Sequence, residues 1–473
     1  MARFKPIEDY AGYFLTINPA AQFEEDSIEK LVNRYVEEKV RFEEFEKNYD
    51  NEERGQKAIH PKVILKVVFY SYIKGIQSLR KMEEMTRNNI AYIYLTGNKA
   101  IDHTTVAKFL NRHREAIVNI FSELLIVMNG LRMIDWSYIV IDGVRIRGNA
   151  SKDLTGSRRK FKERLAQYKE LSRKLILRSE RLEREEIEDE KKEKERDRIE
   201  RQRKKYERMI KKIEKYEKEV EEGKIDGDKR TNLTDGESTL LKTEEGFIQG
   251  YNVQTAISNN DVIVNIEAKG ENSDQKLGEE MVNKVEEKKE EMGVEEKSEY
   301  SLDKGYFDSE KIVNLEKKGK SVYIPIPKGV KGTLLREGMK FEKGEEGVWL
   351  ILEDGKRIKG SKKKGRNKYR YCFEWIEKGE RKNISINTTF IDEKEEWERY
   401  VRKMESEEGK MKYNKRIGKE HNFDTLKNVR GLRRIMRRGI AKATLEAVLS
   451  AIGHNLCKLL SFKVQSNISW AEI

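Results

Sequence analysis

The chain of 473 residues carries 98 Lys and Arg against 85 Asp and Glu, a net charge of +13, with only two cysteines, Cys372 and Cys457. Two cysteines exclude a disulfide framework and a four-cysteine zinc site. With no run of 18 or more apolar residues and no charged-then-apolar leader at Met1, the chain reads as soluble, untargeted and intracellular. Its 39% charged residues exceed the usual fraction of about 25%, so part of it is a solvated, highly charged element, and the positive excess favours a polyanionic partner. The length suits two to four domains.

Residues 1–135 read mostly as helix. Pro61 suits a helix start, and Val63, Ile64, Val67, Val68 and Ile73 form an apolar face at helical spacing. Ser78 precedes a second amphipathic turn from Leu79, and Asp102 can cap a third helix starting at His103 and running to about Met128. Lys108, Arg112 and Arg114 make one side of that helix cationic, as in a helix-turn-helix module; an all-α packing domain with ordinary surface lysines has the same pattern. A strand, Trp136 to Ile141, then ends at Asp142-Gly143. In residues 161–222, 41 of 62 positions are Asp, Glu, Lys or Arg, too polar to bury a core alone. Phe161, Tyr168, Leu175 and Leu182 recur every seven residues, as do Tyr206, Ile213 and Val220, which predicts a coiled-coil hairpin with a charged middle near Glu185 to Arg198, or one long helix.

Beyond Gly223 the texture is globular again. Gly250 to Ile257, Asn259-Asn260-Asp261 and Val262 to Ile266 form a β-hairpin pattern, followed by a helix from about Gln275 to Glu290. A strand near Ser298 to Leu302 ends at Asp303-Lys304-Gly305, and the apolar run Ser321 to Ile326 continues the alternation. Residues 328–392 are rich in Lys, Gly and aromatic residues, with hairpin-like pieces at Val348 to Leu352 and Tyr369 to Trp375, and Glu393 to about Phe462 reads as helix. Asp142 and Asp303 each follow an apolar strand at its carboxyl end, where α/β sheets place ligands, although a turn or capping aspartate fits either one. Two carboxylates converging on one point repel each other, and a divalent cation is the usual remedy.

Tyr413-x2-Arg416-x3-Glu420-x6-Lys427 matches the YREK signature, and the chain resembles bacterial insertion-sequence DDE transposases (insertion-sequence-four-like superfamily, eleven-eighty-two branch). Ile141-Asp142-Gly143 and Leu302-Asp303-Lys304-Gly305-Tyr306 resemble the family's two aspartate strands, and Gly250-Tyr251-Asn252-x-Gln254 its intervening hairpin. Gly75 to Arg80 and Asp102-His103-Thr104-Thr105 are similar to its helical DNA-binding segment, and Gly431-Leu432-Arg433 and Arg438-Gly439 to its closing helices; the likeness runs from about Tyr13 to Leu460, the arm excepted.

The resemblance implies an α/β protein with a ribonuclease-H-like core, an N-terminal helical DNA-binding domain, an inserted coiled-coil arm and a β-rich insertion. The expected domains are 1–135 (helical, DNA-binding), 136–160 (first part of the core), 161–222 (arm), 223–327 (second part of the core), 328–392 (β-rich, basic) and 393–473 (C-terminal, carrying the catalytic glutamate). It further implies catalytic and metal-ligating roles for Asp142, Asp303 and Glu420 around two Mg²⁺ ions, with Mn²⁺ as a substitute. DNA contacts are implied for Tyr413, Arg416, Lys427, Arg80, His103, Lys108 and Arg112, with the simple i,i+4 pairing of Arg416 and Glu420 as the plain structural alternative. The implied partners are double-stranded DNA, as terminal inverted repeats and target, and a second copy in a homodimer, with no membrane, in a bacterial cytoplasm at the nucleoid. Relatives often carry a cysteine cluster before the glutamate; only Cys372 remains there, so no zinc is expected, and Lys362, Lys363, Lys364, Arg366 and Lys368 form a basic loop instead. Competing readings are a catalytically silent DNA-binding descendant, a ribonuclease-H-like nuclease without strand transfer, and a structural coiled-coil protein with a basic globular cap.

Overall fold

A computed structural model of the protein describes residues 18–47, 58–185, 189–328, 340–352, 354–365, 369–377 and 379–473. Tyr13, Arg366 and Lys368 lie outside the described residues. The chain divides into two compact units: residues to Leu124 with Val429–Gly431 and Ile452–Ile473, and Leu125–Asn428 with Leu432–Ala451.

The first unit is helical. Pro61–Ile73 starts on Pro61 and is buried on nearly all sides, Ile64, Leu65, Val67, Val68 and Phe69 being almost inaccessible, so it is the central rod of the unit. Around it lie Ile28–Glu38, Leu79–Asn88, Ile90–Thr96 and His103–Arg112, whose first turns are capped by Ser27, Ser78, Asn89 and Asp102. The helix expected from His103 to about Met128 is two helices: it stops at Arg112 and resumes as Arg114–Gly130. His113 leaves helical backbone geometry (φ −107°, ψ 28°) as its buried ring packs against Phe109 and Phe45 at 4.8 and 5.1 Å. The expected C-terminal segment 393–473 also divides, because Ile452–Ile473 belongs to the helical unit. There a Cβ on Gly453 would lie 3.2 Å from the backbone of Tyr72 and Ile73, and Gly75 (φ +71°) and Gly431 (φ +72°) meet backbone to backbone.

The second unit is built on a six-stranded sheet: β1 (Tyr138–Arg147), β2 (Thr239–Thr243), β3 (Gly246–Ser258), β4 (Ile263–Lys269), β5 (Glu299–Leu302) and β6 (Ser321–Tyr323). The order is β2-β3-β1-β5-β6, with β4 also on β3; β1, β5 and β6 are parallel, and β3 runs antiparallel to its neighbours. This mixed sheet with its helices fits a ribonuclease-H-like fold. β1 continues past Asp142-Gly143, where the sequence pattern ended it, because β3 supplies partners as far as Arg147, opposite Gly250.

Glu286, on helix Gly278–Glu291, holds the strand that leads to Asp303. Its carboxylate accepts from the Tyr300 hydroxyl on β5, from Lys320 just before β6, and from Lys289 at 3.3 Å. Burial alone raises its pKa, but Lys320 and Tyr300, with Lys289, outweigh burial and hold it below the usual range. On the far side of β6, the Tyr400 hydroxyl from helix Lys394–Glu405 bonds both the N–H and the carbonyl of Ile324, at 2.9 and 2.7 Å.

The arm leaves the core through a short antiparallel pair, Thr155↔Asn232 and Gly156↔Thr231. Helices Arg158–Arg184 and Asp189–Glu221 then pack back to back, Phe161 against Tyr216 (5.0 Å) near the base and Tyr168 against Tyr206 (5.6 Å) further out. The two helices run antiparallel, so the arm is a hairpin and not one long helix. Residues 340–387 form two three-stranded sheets sharing Val348, Leu350, Tyr371, Phe373, Trp375 and Ile386 as a core. Lys362, Lys363 and Lys364, expected in a loop, lie in strand Ser361–Lys364, paired with Tyr369–Cys372.

Glu286→Gln is expected to lower unfolding free energy at neutral pH by about 1–3 kcal/mol, the scale for a buried hydrogen-bonded charge. Since the folded-state pKa of Glu286 is depressed, this contribution is present above the unfolded value of about 4.3 and is lost as pH falls through the folded one. Urea denaturation of both proteins at neutral pH and at progressively lower pH should show the gap closing on acidification; a pH-independent gap would contradict this role.

Candidate active site

β1 and β5 pair in parallel with Ile141 opposite Leu302, so the next residues on the two strands, Asp142 and Asp303, emerge side by side. Both carboxylates meet one guanidinium. Arg416 Nη2 donates to Asp142 Oδ2 at 2.5 Å and Nη1 to Asp303 Oδ1 at 3.4 Å. Arg416 is 12% exposed, Asp142 25% and Asp303 49%, so the cation is the most buried member. Burial pushes the Asp142 carboxyl above its ordinary value, and Arg416 and the Gly143 N–H (2.8 Å) offset only part of this. For Arg416 burial opposes the charge, but Asp142 and Asp303 prevail and raise its pKa.

The segment carrying Arg416 is fixed on both sides. The Tyr138 hydroxyl donates to the Lys412 carbonyl at 2.6 Å, and Lys412 pairs with Glu299 at 2.5 Å. Downstream, Lys419 and Asn422 donate to Asp261 at the hairpin tip at 3.0 and 2.9 Å.

The YREK residues do not lie on one continuous α-helix. Glu407–Asn414 is α-helical, Lys415–Lys419 is 3₁₀, Glu420–Asp424 is α again, and Thr425–Val429 is a π turn. A 3₁₀ turn advances about 120° per residue against about 100° in an α-helix, so four such steps carry Glu420 roughly 120° around the axis from Arg416, where four α steps would leave it about 40° away. Gly418, in the middle of this stretch, weakens the α alternative. Glu420 is accordingly exposed and does not join Asp142 and Asp303 in this structure. Tyr413 is half-buried beside Arg416, and Lys427 is half-buried further along.

A third carboxylate that the sequence reading passed over stands on the other side of Asp303. Asp274 Oδ1 accepts from Asn252 (2.6 Å) and Gln254 (2.9 Å), and Tyr306 donates to the Gln254 carbonyl oxygen at 2.5 Å. A Cβ on Gly305 would lie 3.5 Å from Asp274 Oδ2 and 3.8 Å from Asp303 Oδ2, so the two carboxylates face a common point. The legible signal was Asn252-x-Gln254, because alternate strand residues share a face. Gly143 leaves room for this polar cluster: a Cβ there would crowd the Gln254 amide nitrogen most closely and would lie 2.7 Å from Asp274 Oδ1 and 2.8 Å from Asn252 Oδ1.

In the helical unit Arg80 and Lys108 are exposed, as is Arg112 at the end of its helix. His103 is held by Glu83, Nδ1 to Oε2 at 2.6 Å, and half-buried, so its ring serves the contact between two helices. Glu83, Asp102 and His103 are the one group of three metal-competent side chains among the described residues; Asp102 caps its helix and Glu83 also pairs with Arg87 at 3.0 Å, which accounts for the cluster without an ion.

Residues 18–112 match the family described as Transposase domain (DUF772), and residues 228–456 match Transposase DDE domain. The second match includes Asp303, Arg416 and Glu420, while Asp142 precedes it. Together the two matches support a DDE transposase family for this chain, and with it a DNA-cleaving enzyme; DDE transposases generally use divalent metal ions. No curated protein and no solved structure matches the chain significantly. Among the described residues, no helix is long and apolar enough to cross a membrane.

Gly143→Ala must displace the side chains of Gln254, Asp274 and Asn252 or push β1 from β3, and is expected to cost about 1–3 kcal/mol of stability. Chemical denaturation measures this, and an unchanged midpoint would show that the polar packing behind Asp142 is loose.

Proposed function

We propose that the protein is a YREK-type DDE transposase that binds the inverted repeats at the ends of its mobile element, cleaves there and joins the freed 3′ ends to target DNA. The observation that carries this is the convergence of Asp142 and Asp303, from adjacent parallel strands, on one shared cation. The guanidinium of Arg416 stands in for a metal: the donor set on either side of it is two hard carboxylates, which suits Mg²⁺ or Mn²⁺. Asp142, Asp303 and Glu420 would hold two such ions, which supply activation of the attacking oxygen and stabilisation of the departing one in phosphodiester cleavage.

The chain's own residues do the positioning. The Arg416 guanidinium, once its carboxylates bind metal, is free to grip a phosphate bidentately, with Tyr413 and Lys427 on the same segment. α geometry across Lys415–Lys419 would turn Glu420 toward the side of the helix that Arg416 occupies, and so toward the aspartates. No covalent protein nucleophile is needed. The exposed Arg80, Lys108 and Arg112 suit the DNA backbone through the helical unit, and a homodimer bridging two ends is the assembly this chemistry uses.

One observation favours a second reading. Glu420 stands away from the aspartates, as it would in a DNA-binding descendant that no longer cleaves. Labelled DNA carrying both flanking repeats, incubated with the purified protein in Mg²⁺ or Mn²⁺, separates the two. Cleavage at the repeat boundary by wild type, reduced at least about 10³-fold by Glu420→Gln with binding retained, is the expected result. Binding without cleavage by either protein would establish the silent descendant, and cleavage without joined product a nuclease lacking strand transfer.

A further inference from the structure

Most charges on the arm are neutralised locally. Lys169 pairs with Glu214 at 2.8 Å, Lys174 with Glu170 at 2.7 Å, and Arg196 with Glu183 at 2.5 Å. One region of the same unit departs from this. A cavity of about 550 Å³ at the junction of sheet and arm is lined by Arg147, Lys152, Lys212, Arg434 and Arg438, with Asp153 as its one acid. None of the five cations has a carboxylate within salt-bridge distance among the described residues. Their polar contacts are neutral: Lys212 to the Thr234 hydroxyl (3.1 Å), Arg434 to Asn149 Oδ1 (3.3 Å) and Arg438 to the Asn149 carbonyl (2.9 Å). Five cations converging on one solvent-open cavity repel one another, and among the described residues Asp153 is the only carboxylate that lines it.

The same Lys212 begins a second concavity, along helix Asp189–Glu221, shared with Arg201, Lys205 and Arg208. Positions 201, 205, 208 and 212 follow at i, i+4, i+7 and i+11, so they form one stripe on one face. Lys205 and Arg208 are exposed and, among the described residues, have no salt-bridge partner. The stripe therefore continues the cavity outward from the core.

We propose that the cavity and this face of the arm form one track for the phosphate backbone of a DNA duplex, apart from the carboxylate centre. Arg147 lies five residues beyond Asp142 on the same strand, about 17 Å at roughly 3.3 Å per residue. That is the rise of about five base pairs. From Lys212 to Arg201 the helix extends about another 17 Å at 1.5 Å per residue. The track thus grips the flank of a duplex whose reacting phosphate sits at Asp142 and Asp303. Contacts of this kind position DNA without reading its sequence. The proposal rests on the reading that the protein acts on DNA.

The test uses the full-length protein and a fluorescent duplex carrying one repeat end, beside an unrelated duplex of equal length, with anisotropy measured across a salt series. Two variants are compared with wild type: Lys212→Ala/Arg434→Ala/Arg438→Ala, and the arm-only Lys205→Ala/Arg208→Ala, which alters exposed helix positions and preserves the fold. Each lost phosphate contact should flatten the log–log salt slope by about 0.9, so affinity near 0.1 M salt should fall at least about tenfold for both duplexes alike. Wild type that binds DNA, with both variants matching it in affinity and slope, would overturn the track while leaving the DNA reading intact. Loss confined to the repeat-bearing duplex would also overturn it, since that is base readout. Wild type that binds neither duplex at low salt would overturn the DNA reading and the track together.

Discussion

The candidate active site depends on the salt bridge that Arg416 makes to two aspartates. Parallel pairing of β1 and β5 in the Ile141–Leu302 register leaves Asp142 and Asp303 no choice but to emerge together. Two like charges about 4 Å apart at an effective dielectric of about 20 repel by roughly 4 kcal/mol, a large fraction of a domain's net stability. A cation between them is therefore a structural requirement. Here a guanidinium meets it, held in place from both sides by Tyr138 and by Asp261. The same requirement explains why the 415–419 turn tightens: it delivers Arg416 to the aspartates and carries Glu420 off that face.

Much of this was legible from residues. The apolar strands ending at Asp142 and Asp303, the hairpin turning at Asn259–Asp261 and the cap at Asp102 all follow from local pattern, and each forms close to where that pattern puts it; the heptads of the arm left a hairpin and one long helix both open, and the hairpin forms. What escaped depends on tertiary partners. β1 runs on to Arg147 because β3 offers it an edge, and the helix after His103 breaks at His113, whose ring packs against the stacked pair Phe45 and Phe109. Even spacing along 413–427 suggested one helical face, but periodicity assumes a constant 3.6 residues per turn, and this segment changes pitch three times. Asp274 escaped because 85 acidic residues hide it; only the amides of Asn252 and Gln254 single it out.

The distribution of charge shows what net charge conceals. A surplus of thirteen positive charges could be spread evenly over a surface, but here the lysines and arginines of the arm are mostly matched by near neighbours. Where the arm meets the sheet, Lys212 joins Arg147, Lys152, Arg434 and Arg438 around one cavity. Asp142 of the candidate active site and Arg147 of this basic cavity lie on the same strand, β1, so a backbone that reached one would be aligned with the other.

The central claim is that Asp142 and Asp303 form one cation site whose metal-free occupant is Arg416. Titration of the full-length protein with Mn²⁺, followed by electron paramagnetic resonance, tests it with Asp142→Asn, Asp303→Asn and Arg416→Met alongside wild type. The account predicts that each aspartate substitution weakens Mn²⁺ binding by about tenfold or more, and that Arg416→Met, having removed the competing cation, binds it more tightly than wild type. Mn²⁺ bound equally well by wild type and by both aspartate variants would contradict it.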